Sequence, residues 1–74
     1  MAQQARRPPD GIVWTTAEPD MYTCAIEGRT VGFVLRVAGG FIAFDDASNP
    51  LGRYQRARAA RRSVETIRAR RSLE

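Results

Sequence analysis

The sequence predicts an α+β domain, a three-stranded antiparallel β-meander packed on one C-terminal amphipathic helix, in the order βββα. Three observations carry that expectation. Residues 21–45 are rich in β-branched and aromatic residues and are punctuated by two turn signals, Glu27-Gly28 and Gly39-Gly40. Farther on, Ala57, Ala60, Val64 and Ile67 recur at spacings of three, four and three, the period of a helix with one apolar stripe. The chain, at 74 residues, has room for one domain.

Residues 1–11 are polar, contain Pro8 and Pro9, and read as a disordered leader. Ile12-Val13-Trp14 forms a short apolar island, and Pro19 interrupts any regular element after it. Two roles are open to Trp14: docking on its own domain, or sitting at a partner interface. The domain is expected over residues 12–72, with strands at Met21–Ile26, Thr30–Val37 and Phe41–Asp45. Asp46-Ala47-Ser48-Asn49-Pro50 ends the meander, and Leu51–Tyr54 reads as an extended connector because Gly52 would weaken a helix there. The helix is expected to begin near Gln55. The terminal Leu73-Glu74 reads as an expression-tag remnant.

Parity assigns the sheet faces. A two-residue hairpin loop pairs an even-numbered residue with an odd-numbered one, and side chains alternate with period two. One face then collects Tyr22, Cys24, Ile26, Val31, Phe33, Leu35, Val37, Ile42 and Phe44. This set is uniformly apolar and is expected beneath the helix. The other collects Met21, Thr23, Ala25, Thr30, Gly32, Val34, Arg36, Phe41 and Ala43. This second face is flat and sparsely charged, which suits a partner better than water. The candidate partner surface is therefore Met21, Val34, Arg36, Phe41 and Trp14, with Ile12-Val13-Trp14 folding back over the face as the intramolecular alternative.

Charge divides the chain. Arg53, Arg56, Arg58, Arg61, Arg62, Arg68, Arg70 and Arg71 face only Glu65 and Glu74 in residues 53–74, a local net charge of +6; residues 1–52 sum to −2. A basic helix on a nearly neutral body attracts acidic surfaces, nucleic acid among them. The candidate nucleic-acid contacts are Arg56, Arg58, Arg61, Arg62 and Arg68. On a helical wheel these arginines wrap the whole solvent face and form no single row. Arg61 and Arg68 can each approach Glu65, and the last-turn arginines suit the negative end of the helix dipole. A solvated face accounts for much of this charge, so nucleic acid ranks behind a homodimer or another protein partner.

Several classes are disfavoured. With no histidine, no lysine and a single cysteine, general acid–base, activated-nucleophile and zinc chemistry have little to build on. Asp45-Asp46 is the only acidic cluster, its members alternate across the strand, and a turn-initiating role suffices for it. Cys24 reads as a buried, inert thiol. The expectation is a non-enzymatic protein with no catalytic residues, no metal, no cofactor and no small-molecule substrate. No apolar run can span a bilayer, and Arg6-Arg7 precede no apolar stretch of the signal-peptide kind, so a cytoplasmic location is expected. So small a domain without a disulfide is marginal, which makes a partner, most simply a second copy, a physical expectation.

Glu27-Gly28-Arg29-Thr30-Val31-Gly32-Phe33-Val34, then Gly39-Gly40-Phe41-Ile42-Ala43, then Leu51-Gly52-Arg53-Tyr54 ahead of a helix centred on Ala60 and Val64, resembles a loose class of small bacterial and phage-borne proteins. Those are built as strand–strand–strand–helix, and the resemblance implies that fold and no activity. In layout the chain is also similar to the three-stranded DNA-reading domains of phage integrase N-termini and plant ethylene-response factors. Such domains present several Arg and Trp side chains on the exposed sheet face. Here that face offers Arg36 with Thr23 and Thr30, so no functional residue carries over.

Overall fold

The computed structural model describes the backbone of residues 11–73 and the side chains of residues 11–67. Of the expected leader only Gly11 falls within this range; residues 1–10 and Glu74 lie outside it. The protein is α+β, as expected, with five strands where three were expected. They are β1 (Ile12–Glu18), β2 (Met21–Ile26), β3 (Arg29–Val37), β4 (Gly40–Asp45) and β5 (Pro50–Tyr54), followed by α1 (Ala57–Leu73). The strands form one antiparallel meander in sequence order.

The two added strands lie at the sheet edges. β1 extends the apolar island: Ile12, Val13, Trp14, Thr15 and Thr16 all favour extended backbone, and they pair with residues 22–26 of β2. Gly11, at φ 72°, turns the chain into the strand, and its carbonyl accepts the Glu27 N–H at 3.0 Å. β5 is the expected connector, now paired with β4 from Phe41↔Tyr54 to Phe44↔Pro50. Proline at its first position withholds a donor only where an edge strand can spare one. Asp45 brings the chain back: its Oδ1 accepts the N–H groups of Ala47 and Asn49 at 2.9 and 2.8 Å, and its Oδ2 accepts the Asn49 amide at 3.1 Å.

A bulge in β3 overturns the expected faces. Ile26 pairs with Arg29 and Ala25 with Thr30, as parity requires, but Cys24 then pairs with Gly32. Val31 is the extra residue. From Gly32 onward β3 is offset by one against β2, which flips which residues share a side. Tyr22, Cys24 and Ile26 therefore share a face with Gly32, Val34 and Ala43. Phe33, Leu35, Val37, Ile42 and Phe44 stay together, as expected, but on the side away from the helix. Val31 and Gly32 are both buried at the bulge on the helix side.

The core lies between sheet and helix: Cys24, Ile26, Val31, Val34 and Ala43 against Ala60, Val64 and Ile67. The helix stripe is the one expected, and the helix starts two residues later than expected. It lies over β3, β4 and β5 and only brushes β2. Small residues permit this approach. Gly32 carries Val64 directly above it: a Cβ there would sit 2.9 Å from Val64 Cγ1 and would run into the Phe44 carbonyl oxygen. Had Phe33 and Phe44 faced the helix instead, their rings would have held Ala60 and Val64 away from the sheet.

Ile12, Trp14 and Tyr22 line the part of this face that the helix leaves uncovered, and they pack on the rim of the core. The Trp14 indole N–H donates to Glu65 Oε2 at 2.7 Å, tying β1 to the helix across 51 residues. Trp14 thus docks on its own domain. It does so on the helix side, not over the opposite sheet face. A hydrogen bond to a charged acceptor contributes about 1.5–3 kcal/mol when buried and less in this half-exposed setting. A double-mutant cycle on Trp14→Phe and Glu65→Ala, read by urea unfolding, is expected to give a coupling energy of about 1 kcal/mol. Zero coupling would remove the indole–carboxylate bond from the account of how β1 is held.

No helix is long and apolar enough to cross a membrane among the described residues.

Candidate functional site

The molecule has two surfaces to weigh, one apolar and one basic, on opposite sides of the sheet. The apolar one follows from the bulge. Register gives it two rows across the strands: Thr15, Thr23, Phe33, Phe44 and Pro50, then Met21, Leu35, Ile42 and Arg53. Phe33 and Phe44 stack with centroids 4.8 Å apart and planes 13° from parallel. Val13, beyond the first row, is 48% exposed. Across β2, β3 and β4 the register places no charged side chain on this face. Arg53, on the edge strand, donates from Nη2 to the Ala38 carbonyl at 2.9 Å, over the β3–β4 turn.

The five expected partner-surface residues do not come together there. Met21 alone is on the open face. Val34 is 1% exposed beneath the helix. Phe41 and Trp14 pack against the core from the helix side, and Arg36, cross-strand from Phe41, is exposed at the end of that same side. The cause is the single extra residue at Val31, which exchanged the two faces of β3 and β4 relative to β2. The residues that replace them, Phe33, Leu35, Ile42 and Phe44, were legible as an apolar set; only the side they occupy was not.

The basic surface is the solvent side of the helix. Arg61 is drawn off it: its guanidinium lies 5.5 Å from the Trp14 ring centroid and 5.9 Å from that of Tyr22. Such cation–π contacts are worth about 0.5–1 kcal/mol at an exposed site, and they give Arg61 a structural role. Its expected neighbour Glu65 is taken by the Trp14 indole. Arg56, Arg58 and Arg62 behave differently. With Tyr54, Ala59, Ser63 and Thr66 they line one open groove of about 520 Å³ between the helix and the end of β5. Among the described residues the guanidinium groups of all three lack a hydrogen-bond or ion-pair partner, although the Arg56 carbonyl accepts the Ala60 N–H at 3.2 Å. The expected contact Arg68 lies outside the described side chains.

Cys24 is buried, with 0% exposure, and as the single cysteine of the chain it forms no internal disulfide. Asp45 organises the β4–β5 loop. Among the described residues no three His, Cys, Asp or Glu side chains gather where a metal could be held. Comparison of the chain with protein-family models, curated proteins and solved structures finds no match.

Proposed function

We propose that the protein is a non-enzymatic interaction module that self-associates through the open face of its sheet. The observation that carries this is the pair of rows, Phe33 and Phe44 then Met21, Leu35 and Ile42, left outside the core by the Val31 bulge. The molecule is only 18 Å thick in its smallest dimension, one sheet and one helix deep. A sheet with both faces apolar is stable in water when both are covered.

A second copy fits this face. Five strands about 4.8 Å apart and about 20 Å long give a footprint of about 480 Å² per chain. Two such footprints come to about 960 Å² before side-chain relief is counted, near the threshold of about 1,000 Å² for a specific interface. Face-to-face packing of two identical sheets is self-complementary under a two-fold axis. The lack of charge across the central strands means that no like-charge pair is forced together.

Sedimentation velocity over a concentration series tests this. The 8.3 kDa chain is expected to pass from monomer to dimer in the micromolar range, as suits so small an interface. Ile42→Glu, on the open face, is expected to shift the midpoint at least about a hundredfold while leaving the circular dichroism unchanged, since burying a carboxylate across a dimer axis costs several kcal/mol. A wild-type chain that stays monomeric at the highest attainable concentration would end the self-association reading.

A further inference from the structure

We infer that the groove between the helix and the end of β5 binds the phosphodiester backbone of single-stranded nucleic acid, with Arg56, Arg58 and Arg62 as its contacts. Arg58 and Arg62 are four residues apart, on one ridge of the helix, and Arg56 stands just before its first turn. All three line the same groove, and Tyr54 forms part of its wall.

Solvation of the outer helix face accounts for exposed arginines but not for their gathering around one groove. Arg56 and Arg58 stand at the positive end of the helix dipole, with no acidic residue in its first turn. Cations there are disfavoured, and three like charges around one groove also repel one another. Arg61 has an internal use, held over Trp14 and Tyr22. The other three have none among the described residues. A polyanion relieves both penalties at once, and guanidinium groups match phosphate oxygens in a fork geometry that lysine lacks.

The choice of nucleic acid rests on what accompanies the charge. Tyr54 packs in part against the core and also lines the groove beside the arginines, and an aromatic next to a phosphate-tracking groove is the usual arrangement for single strands. Ser63 and Thr66 add small polar side chains to the wall, and the Thr66 hydroxyl donates to the Ser63 carbonyl. Among the described residues the charged groups of the groove are the three arginines; directed at phosphates they carry no sequence information, so binding is sequence-tolerant and governed by counterion release.

Fluorescence anisotropy of a labelled oligo(dT) and an oligo(U) tests the site on the full chain. Micromolar binding is expected, with a slope in log–log salt dependence of about −2 for three phosphate contacts on a single strand. Affinity would then fall roughly twentyfold between 50 and 200 mM salt, as that slope requires. R58Q/R62Q is expected to weaken binding about tenfold and to flatten the slope by about 1.4. R29Q/R36Q removes the same charge from exposed positions that do not line the groove, and is expected to change affinity less than about threefold at equal charge. Equal weakening by the two double variants would show general charge attraction and overturn the site, and so would binding that does not respond to salt. Ile42→Glu is expected to retain binding, because the groove and the open face lie on opposite sides of the sheet. The two proposals can therefore fail separately.

Discussion

Gly32→Ala is expected to lower the unfolding free energy by about 3 kcal/mol, the upper end of the range for overpacking a core. The reason is local and rigid. A Cβ at Gly32 meets the Phe44 carbonyl on the neighbouring strand, Val64 Cγ1 at 2.9 Å and Asp45 Cα at 3.3 Å. Two of these obstacles are backbone, so no rotamer change relieves the clash; either the helix lifts or β3 and β4 part. A domain of this size has a stability of about 4–10 kcal/mol, and the midpoint of thermal unfolding should drop by about 12 to 24 °C. Gly28→Asn is the contrasting case. Gly28 sits at φ 82° with nothing within 4 Å of where a Cβ would stand, and asparagine tolerates that backbone, so less than about 1 kcal/mol should be lost. If both variants melt alike, close helix–sheet contact at Gly32 is not what limits stability.

Deleting Val31 should leave the protein folded, whereas deleting Thr23 should abolish folding. Val31 is the extra residue of the bulge, flanked by the pairs Ala25↔Thr30 and Cys24↔Gly32. Removing it joins those pairs into one regular ladder and keeps every other side chain on its present face. The expected cost is the burial of one valine, about 2 kcal/mol. Thr23 lies inside the regular pairing of both β1 and β2 and of β2 and β3. Its removal shifts one end of a central strand by a residue and turns those side chains to the wrong face. Circular dichroism and urea unfolding of the two deletions decide the matter. Loss of fold in both would mean that the register across Val31 is not the one described.

The same bulge explains why part of the architecture was legible and part was not. Residues 21–45 announced their strands through β-branched and aromatic content, and the Ala57, Ala60, Val64, Ile67 stripe announced the helix. The grouping of Phe33, Leu35, Val37, Ile42 and Phe44 was also correct, because the β3–β4 turn preserves parity: Val37 pairs with Gly40 and Phe33 with Phe44. The step from β2 to β3 was not readable, since the Glu27-Gly28 turn looks the same whether or not a bulge follows it. The rule that the most apolar face lies beneath the helix then chose the wrong side. Space was the deciding quantity, and it favoured Gly32 and Ala43 over larger neighbours.

The edge strands were missed for another reason. Ile12–Glu18 and Pro50–Tyr54 have extended character, but an edge strand exists only because a neighbour pairs with it, and Pro50 and Gly52 carry signals that usually argue against a strand. Of the basic contacts, wheel geometry placed Arg58 and Arg62 on the outer side correctly. It had no means of showing that Trp14 would engage Arg61 beside Tyr22, because the Trp14 contact depends on β1 being present.

The sequence by itself determined the α+β class, the central strands, the apolar stripe of the helix and the concentration of arginine at its outer face. These follow from local periodicity and composition, which act over a few residues. The tertiary structure alone decided which sheet face the helix covers, which apolar residues lie on the open face, and which arginines engage other side chains of the domain. Each of those depends on contacts between distant segments: one extra residue at Val31, a close approach at Gly32, and a tryptophan 51 residues from the carboxylate it meets.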